Sequence, residues 1–157
     1  MSHPFQDAIA ARDRDALIDT LAPDVVLHSA VTATPFEGRE LVADTYRSVL
    51  ESFEELRIVD AFENGDTHAF FWEGRMGGRP VSGADRVRVG PDGKVLEITV
   101  LGRPMAGVAT FLTEIGPRLA RRRRGRLVAT LLRLTALPLP RLLALLDPVT
   151  RWILRPR

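Results

Sequence analysis

No cysteine occurs in the 157 residues. Disulfides, thiol nucleophiles and thiolate metal sites are therefore excluded. Histidine is scarce: His3, His28 and His68 are scattered, with no pair at helical i, i+4 spacing. That argues against a zinc site, and neither a metal nor a cofactor is expected. Lysine and tyrosine occur once each, as Lys94 and Tyr46. Nearly every basic residue is arginine, so any single arginine carries little information. The opening, "MSHPFQDAIAARDRD", lacks a charged segment followed by an apolar run, so a cytoplasmic chain without a leader is expected. Also missing are a strand–glycine loop–helix ending in Lys-Ser/Thr, a nucleophile elbow and an HExxH pair.

What is present describes a folded domain with an appendage. Apolar residues make up 45% and charged residues 27%, a globular balance with enough chain to bury a core. The charge is divided unevenly. Residues 118–157 hold 11 arginines and one acid, a net +10; residues 1–117 hold 11 basic and 19 acidic residues, a net −8. An acidic domain carrying a basic tail suggests surface association.

Residues 4–21 read as two short helices. Phe5, Ala8 and Ile9 share one face, and Leu17, Ile18 and Leu21 another. Asp13 or Asp15 can cap the second helix, and Pro23 is expected to end it. "VVLHSAV", Val25 to Val31, alternates as a strand. "GRELVADTYRSVLESF" places Val42, Tyr46, Val49, Leu50 and Phe53 on one helical stripe. Further strands follow, parted by turns at Asn64-Gly65-Asp66, Gly77-Gly78 and Gly90-Pro91-Asp92-Gly93. The expected fold is α+β: a cone-shaped, curved, mostly antiparallel sheet, with N-terminal helices enclosing a pocket and amphipathic helices at the C-terminus.

Four stretches carry a resemblance: "LAPDVVLHS" (Leu21 to Ser29), "FEGRELV" (Phe36 to Val42), "AFFWEG" (Ala69 to Gly74) and "ADRVRVGPDGKVLEITV" (Ala84 to Val100). With the element order they resemble the nuclear transport factor 2-like superfamily, which includes SnoaL-like polyketide cyclases and ketosteroid isomerases. The resemblance covers roughly Phe5 to Arg103 and implies a SnoaL-like domain over residues 1–104 and a basic helical tail over 105–157. It implies a fold more than a reaction, because the superfamily hosts many functions. The isomerases' Asp base falls on Ser29, which cannot abstract a carbon-bound proton without a neighbouring base. Their oxyanion tyrosine falls near Phe5, which has no hydroxyl. Their second oxyanion acid falls on Asp85. A cyclase-like Asp/His arrangement would join Asp85 to His28 or His68, although strand alternation sets His28 against Ser29. A homodimer is also implied by the resemblance.

Two functions follow as expectations. One is a binding module whose pocket, with Ser29, Tyr46, Trp72, Asp85 and Val100 on its walls, holds a small apolar molecule. The other is an isomerase- or cyclase-type enzyme using Asp85 with a histidine, His28 being the candidate. Asp85 could equally be a structural carboxylate bonded to a backbone amide or to Arg86 or Arg103.

In the tail, Val108, Phe111, Leu112 and Ile115 form a helical stripe that Gly116-Pro117 is expected to interrupt. Beyond "ARRRRG", Arg126, Thr130 and Arg133 make a narrow polar stripe in an otherwise apolar helix. Leu127 to Leu146 is long enough to span a bilayer, but it contains Arg133, Arg141 and two prolines; a central arginine alone costs roughly 2.5–3.5 kcal/mol. An interfacial helix at an anionic membrane surface fits better, peripheral to the inner membrane face, with Arg122, Arg123, Arg126, Arg133 and Trp152 as contacts. The rival is packing of the same leucines on this chain or a partner. Nucleic acid is an unlikely partner, because stacking aromatics are few.

Overall fold

The computed structural model describes residues 3–154. Helix α1 (Pro4–Ala11) starts where His3 Nδ1 accepts the Phe5 amide at 3.2 Å. Pro4 takes the first turn, where a missing N–H is harmless. Helix α2 (Arg14–Thr20) is capped by Asp13, whose Oδ1 accepts from the amides of Asp15 and Ala16 at 3.1 and 3.0 Å. Phe5, Ile9 and Leu17 are thereby driven into the core.

Strand β1 (Leu21–His28) follows without a loop, and β2 (Phe36–Glu37) returns beside it. Gly38, at φ 89°, turns the chain into α3 (Arg39–Ser52), which buries Val42, Tyr46 and Leu50. Side chains of this size contribute roughly 1.5–3 kcal/mol each when fully buried. Strands β3 (Phe53–Asn64), β4 (Thr67–Met76), β5 (Arg79–Val89) and β6 (Val95–Arg103) form an antiparallel meander. The six strands lie in the order β2-β1-β6-β5-β4-β3, and β1 runs parallel to β6.

Two local expectations need correction. Pro23 does not end a helix; it sits inside β1, where the register against β6 shifts between Leu21 and Val26. A strand tolerates a residue without an N–H at such an irregularity. Gly116-Pro117 does not interrupt the helix that follows the sheet. After α4 (Met105–Val108), a π-helical turn over Phe111–Ile115 leads directly into α5 (Gly116–Arg124), with Pro117 in its first turn. The widened turn accommodates the missing N–H, and Gly116 keeps right-handed helical angles. Phe111 and Ile115 consequently join the core of the sheet domain.

Helices α6 (Arg126–Ala136), α7 (Leu139–Ala144) and α8 (Leu146–Ile153) complete the chain. Helix α6 lies against α5 at Gly116, where an added Cβ would stand 3.1 Å from Leu132. Ala129 is buried on that side, whereas Leu127, Leu131 and Leu134 are 85%, 63% and 65% exposed on the other. The stretch Arg126–Ala144 is long and apolar enough to cross a membrane by length and composition, but it is divided between two helices and Pro140 is buried.

Candidate functional site

The inner face of the sheet and α3 enclose a cavity of about 600 Å³, within the range of small-molecule sites. Leu27, Phe70 and Val100 come from the strands, and Val49 and Leu50 from α3. The π-helical turn contributes Phe111, Leu112 and Ile115. Helices α5 and α6 finish one wall with Leu119, Ala120, Arg123, Arg124 and Leu132. The surface is overwhelmingly apolar.

Its main polar feature is a three-residue cluster. Asp85, on β5, is buried. The Trp72 indole Nε1–H donates to its Oδ1 at 2.8 Å, and the Tyr46 hydroxyl donates to Oδ2 at 3.4 Å. The β4–β5 hairpin creates the first contact. Gly77 and Gly78, both at positive φ, make a two-residue turn. That turn sets Phe70 opposite Asp85 and Trp72 opposite Gly83, one diagonal step away on the same face. Gly83 is required there: a Cβ would lie 2.5 Å from the Trp72 ring. Helix α3 supplies the second contact from above.

Electrostatics follow from this enclosure. Burial raises the Asp85 pKa to about 6, against the opposing pull of the hydrogen bonds from Trp72 and Tyr46. Tyr46 is pushed well above the ordinary phenol value by burial and by the Asp85 charge. Near neutrality the cluster is a carboxylate held by two neutral donors. No ion pair reaches Asp85 among the described residues, so neither Arg86 nor Arg103 is its counter-ion.

Ser29, Tyr46, Trp72, Asp85 and Val100 all line the cavity. Ser29 Oγ accepts the Val31 amide at 3.3 Å. His28 does not join them, and its expected pairing with Asp85 must be corrected. Strand alternation turns it to the outer face, where Nε2 lies 3.8 Å from Glu97 Oε1 in a group that includes Arg86 and Arg88. His68 lies beside His3, ring centroids 5.0 Å apart, and 4.0 Å from Glu63. Among the described residues no histidine lines the cavity.

The tail arginines are sorted by their partners. Arg122 binds both oxygens of Glu51 at 2.6 and 2.7 Å, and Glu51 also holds Arg14 at 3.1 Å. Arg123 reaches Asp44 at 2.9 Å and Glu40 at 3.4 Å. These two side chains, expected at an external surface, are instead engaged by acids of α3. Arg126 and Arg133 flank the α5–α6 groove, and Trp152 is exposed. Sequence reading missed the contribution of 119–132 to the cavity. The signal was available: the stripe at Phe111, Leu112 and Ile115 continues to Leu119 at i+4.

Comparison with known proteins agrees with this architecture. A steroid delta-isomerase from Pseudomonas aeruginosa is 28% identical, with a TM-score of 0.66 over 78% of this chain and 88% of that one. A bacterial protein with a cystatin-like fold from Silicibacter pomeroyi is 21% identical, with a TM-score of 0.68 over 80% and 87%. A nuclear transport factor 2-like protein of unknown function from Mesorhizobium loti is 23% identical, with a TM-score of 0.57 over 64% and 85%. No curated protein matches the chain. The model of the SnoaL-like domain matches residues 4–98, well over half of the sequence, and the chain belongs to that family.

Proposed function

We propose that the chain binds a small, largely apolar molecule inside the cone and seats that molecule's polar group against Asp85. The supporting observation is the buried carboxyl itself. It stands in an apolar cavity, held by Trp72 and Tyr46, with no cationic partner among the described residues. A carboxylate in such a place costs stability, a cost that a ligand-binding role accounts for.

A second reading is an enzyme that moves a proton next to a carbonyl, with Asp85 alone as the shuttle. It is favoured by the pKa of about 6, close to the range useful for general acid–base work, and by the 28% identity to a steroid delta-isomerase. His28 cannot partner Asp85 in such a reaction, because that histidine lies outside the cavity.

One experiment separates the readings. Quenching of Trp72 fluorescence by 2-naphthol and by an apolar ketone is measured in a Trp152→Phe background. Saturable binding weakened in Val100→Phe, which narrows the cavity without adding a second indole, is expected. Absence of saturable binding by either probe sinks the pocket reading. Incubation with a β,γ-unsaturated ketosteroid then tests turnover: conversion abolished by Asp85→Asn with affinity retained selects the enzyme, and no conversion leaves the binder.

The tail is read as an attachment to an anionic membrane surface. The exposed Leu127, Leu131 and Leu134 form one face of α6, bordered by Arg126 and Arg133, as an interfacial helix requires.

A further inference from the structure

Four arginines stand in a row at the end of α5, and the structure treats them differently. Arg122 and Arg123 are bound by acids of α3. Arg121 faces the α5–α6 groove beside Arg118 and Arg126. Arg124 lines the cavity, and among the described residues it has no hydrogen bond or ion pair. Arg124 is exposed, so it stands at the rim beside the ion-paired Arg123; an unpaired guanidinium at the edge of a mostly apolar pocket is a ready partner for a carboxylate, which it can grip with two parallel N–H bonds.

The cavity is thus polar at separated places. Asp85 with Tyr46 and Trp72 lies among the sheet residues, and the arginine lies on the wall built by α5 and α6. The rest of the lining is mostly apolar, Val49, Leu112 and Leu119 included. We propose that the ligand is a single-chain amphiphile that carries, besides the polar group meeting Asp85, an anionic head at its other end, its apolar body in the cone and its carboxylate on Arg124. This rests on the cavity being a ligand site and adds the class of ligand. It also separates charge sensibly: the anionic head is kept on the arginine wall, away from the Asp85 carboxylate, which would repel it.

The test compares dodecanoate with its methyl ester, both below their aggregation limits, by calorimetry on the full chain. Wild type is set beside Arg124→Gln, Arg121→Gln and Val100→Trp. Dodecanoate should bind at least about tenfold more tightly than the ester. Arg124→Gln should remove most of that preference and leave ester binding unchanged. Arg121→Gln, which removes an equal charge outside the cavity, should change neither. Val100→Trp should weaken both. Equal binding of acid and ester, or equal losses from the two arginine variants, overturns the anionic head while leaving the cavity as an apolar site. Dodecanoate binding that survives Val100→Trp places the anion on the surface and overturns the proposal. Failure of both probes to bind wild type overturns the cavity reading itself.

Discussion

At the scale of single residues, Asp85 governs the chemistry of the cavity. Its pKa is raised from the ordinary carboxylate value to about 6, so the native state holds the proton more tightly than the unfolded chain. The linkage therefore runs against stability as pH rises: the cost of the buried charge is absent below about pH 4, grows through pH 6 and is complete above it. Asp85→Asn removes that cost. Relative to wild type, the variant should gain on the order of 2–3 kcal/mol between pH 4 and pH 7.5, read by urea denaturation at both. A difference that stays constant with pH would mean that Asp85 titrates normally. Much of this site was legible. Alternation along the strands and the stripe on α3 bring Ser29, Tyr46, Trp72, Asp85 and Val100 into one cavity. Even the Trp72–Gly83 pairing follows from a two-residue turn at Gly77-Gly78. The Tyr46–Asp85 contact was not legible, because it depends on how a helix sits over a sheet, and local patterning does not determine that.

At the scale of elements, the informative junction is α3 with α5. The acids Glu40, Asp44 and Glu51 recur along one side of α3, and the arginine run meets them. Each such surface pair contributes little alone, but here Glu51 joins Arg14 and Arg122 in a small network. Glu51→Gln with Asp44→Asn should raise amide exchange in residues 119–124 by about three- to tenfold at low salt, with β4 and β5 unaffected. Unchanged exchange would assign the docking of α5 entirely to the apolar contacts of Phe111 and Ile115. The sequence showed both halves of this junction as charge asymmetry. What hid their meeting was Gly116-Pro117, a pair that ordinarily stops a helix and here follows a π-helical turn. A π-turn has no recognisable signal in propensity or period.

At the scale of the whole molecule, the −8 domain and +10 tail are partly neutralised within one chain. The surplus lies beside the exposed leucines of α6. We expect the full chain to co-sediment with vesicles containing 30% phosphatidylserine and to release as salt is raised. Leu127→Glu, Leu131→Glu and Leu134→Glu combined should abolish the association while leaving the cavity's ligand affinity intact. Vesicle binding equal to wild type in that triple variant would show that α6 is not the contact. The parallel pairing of β1 with β6 has a further consequence, for how the molecule comes into being. Leu21 aligns with Val95 and His28 with Thr99, whereas β3 to β6 are joined by short turns. The meander can zip locally, but β1 cannot complete its place until residues 29–94 and β6 itself exist and the loop between them closes. During synthesis the first strand therefore waits for the last, with Leu21, Val25 and Leu27 lacking their final cover. Until then the unpaired edge of β1 is open to chaperones and to misassociation.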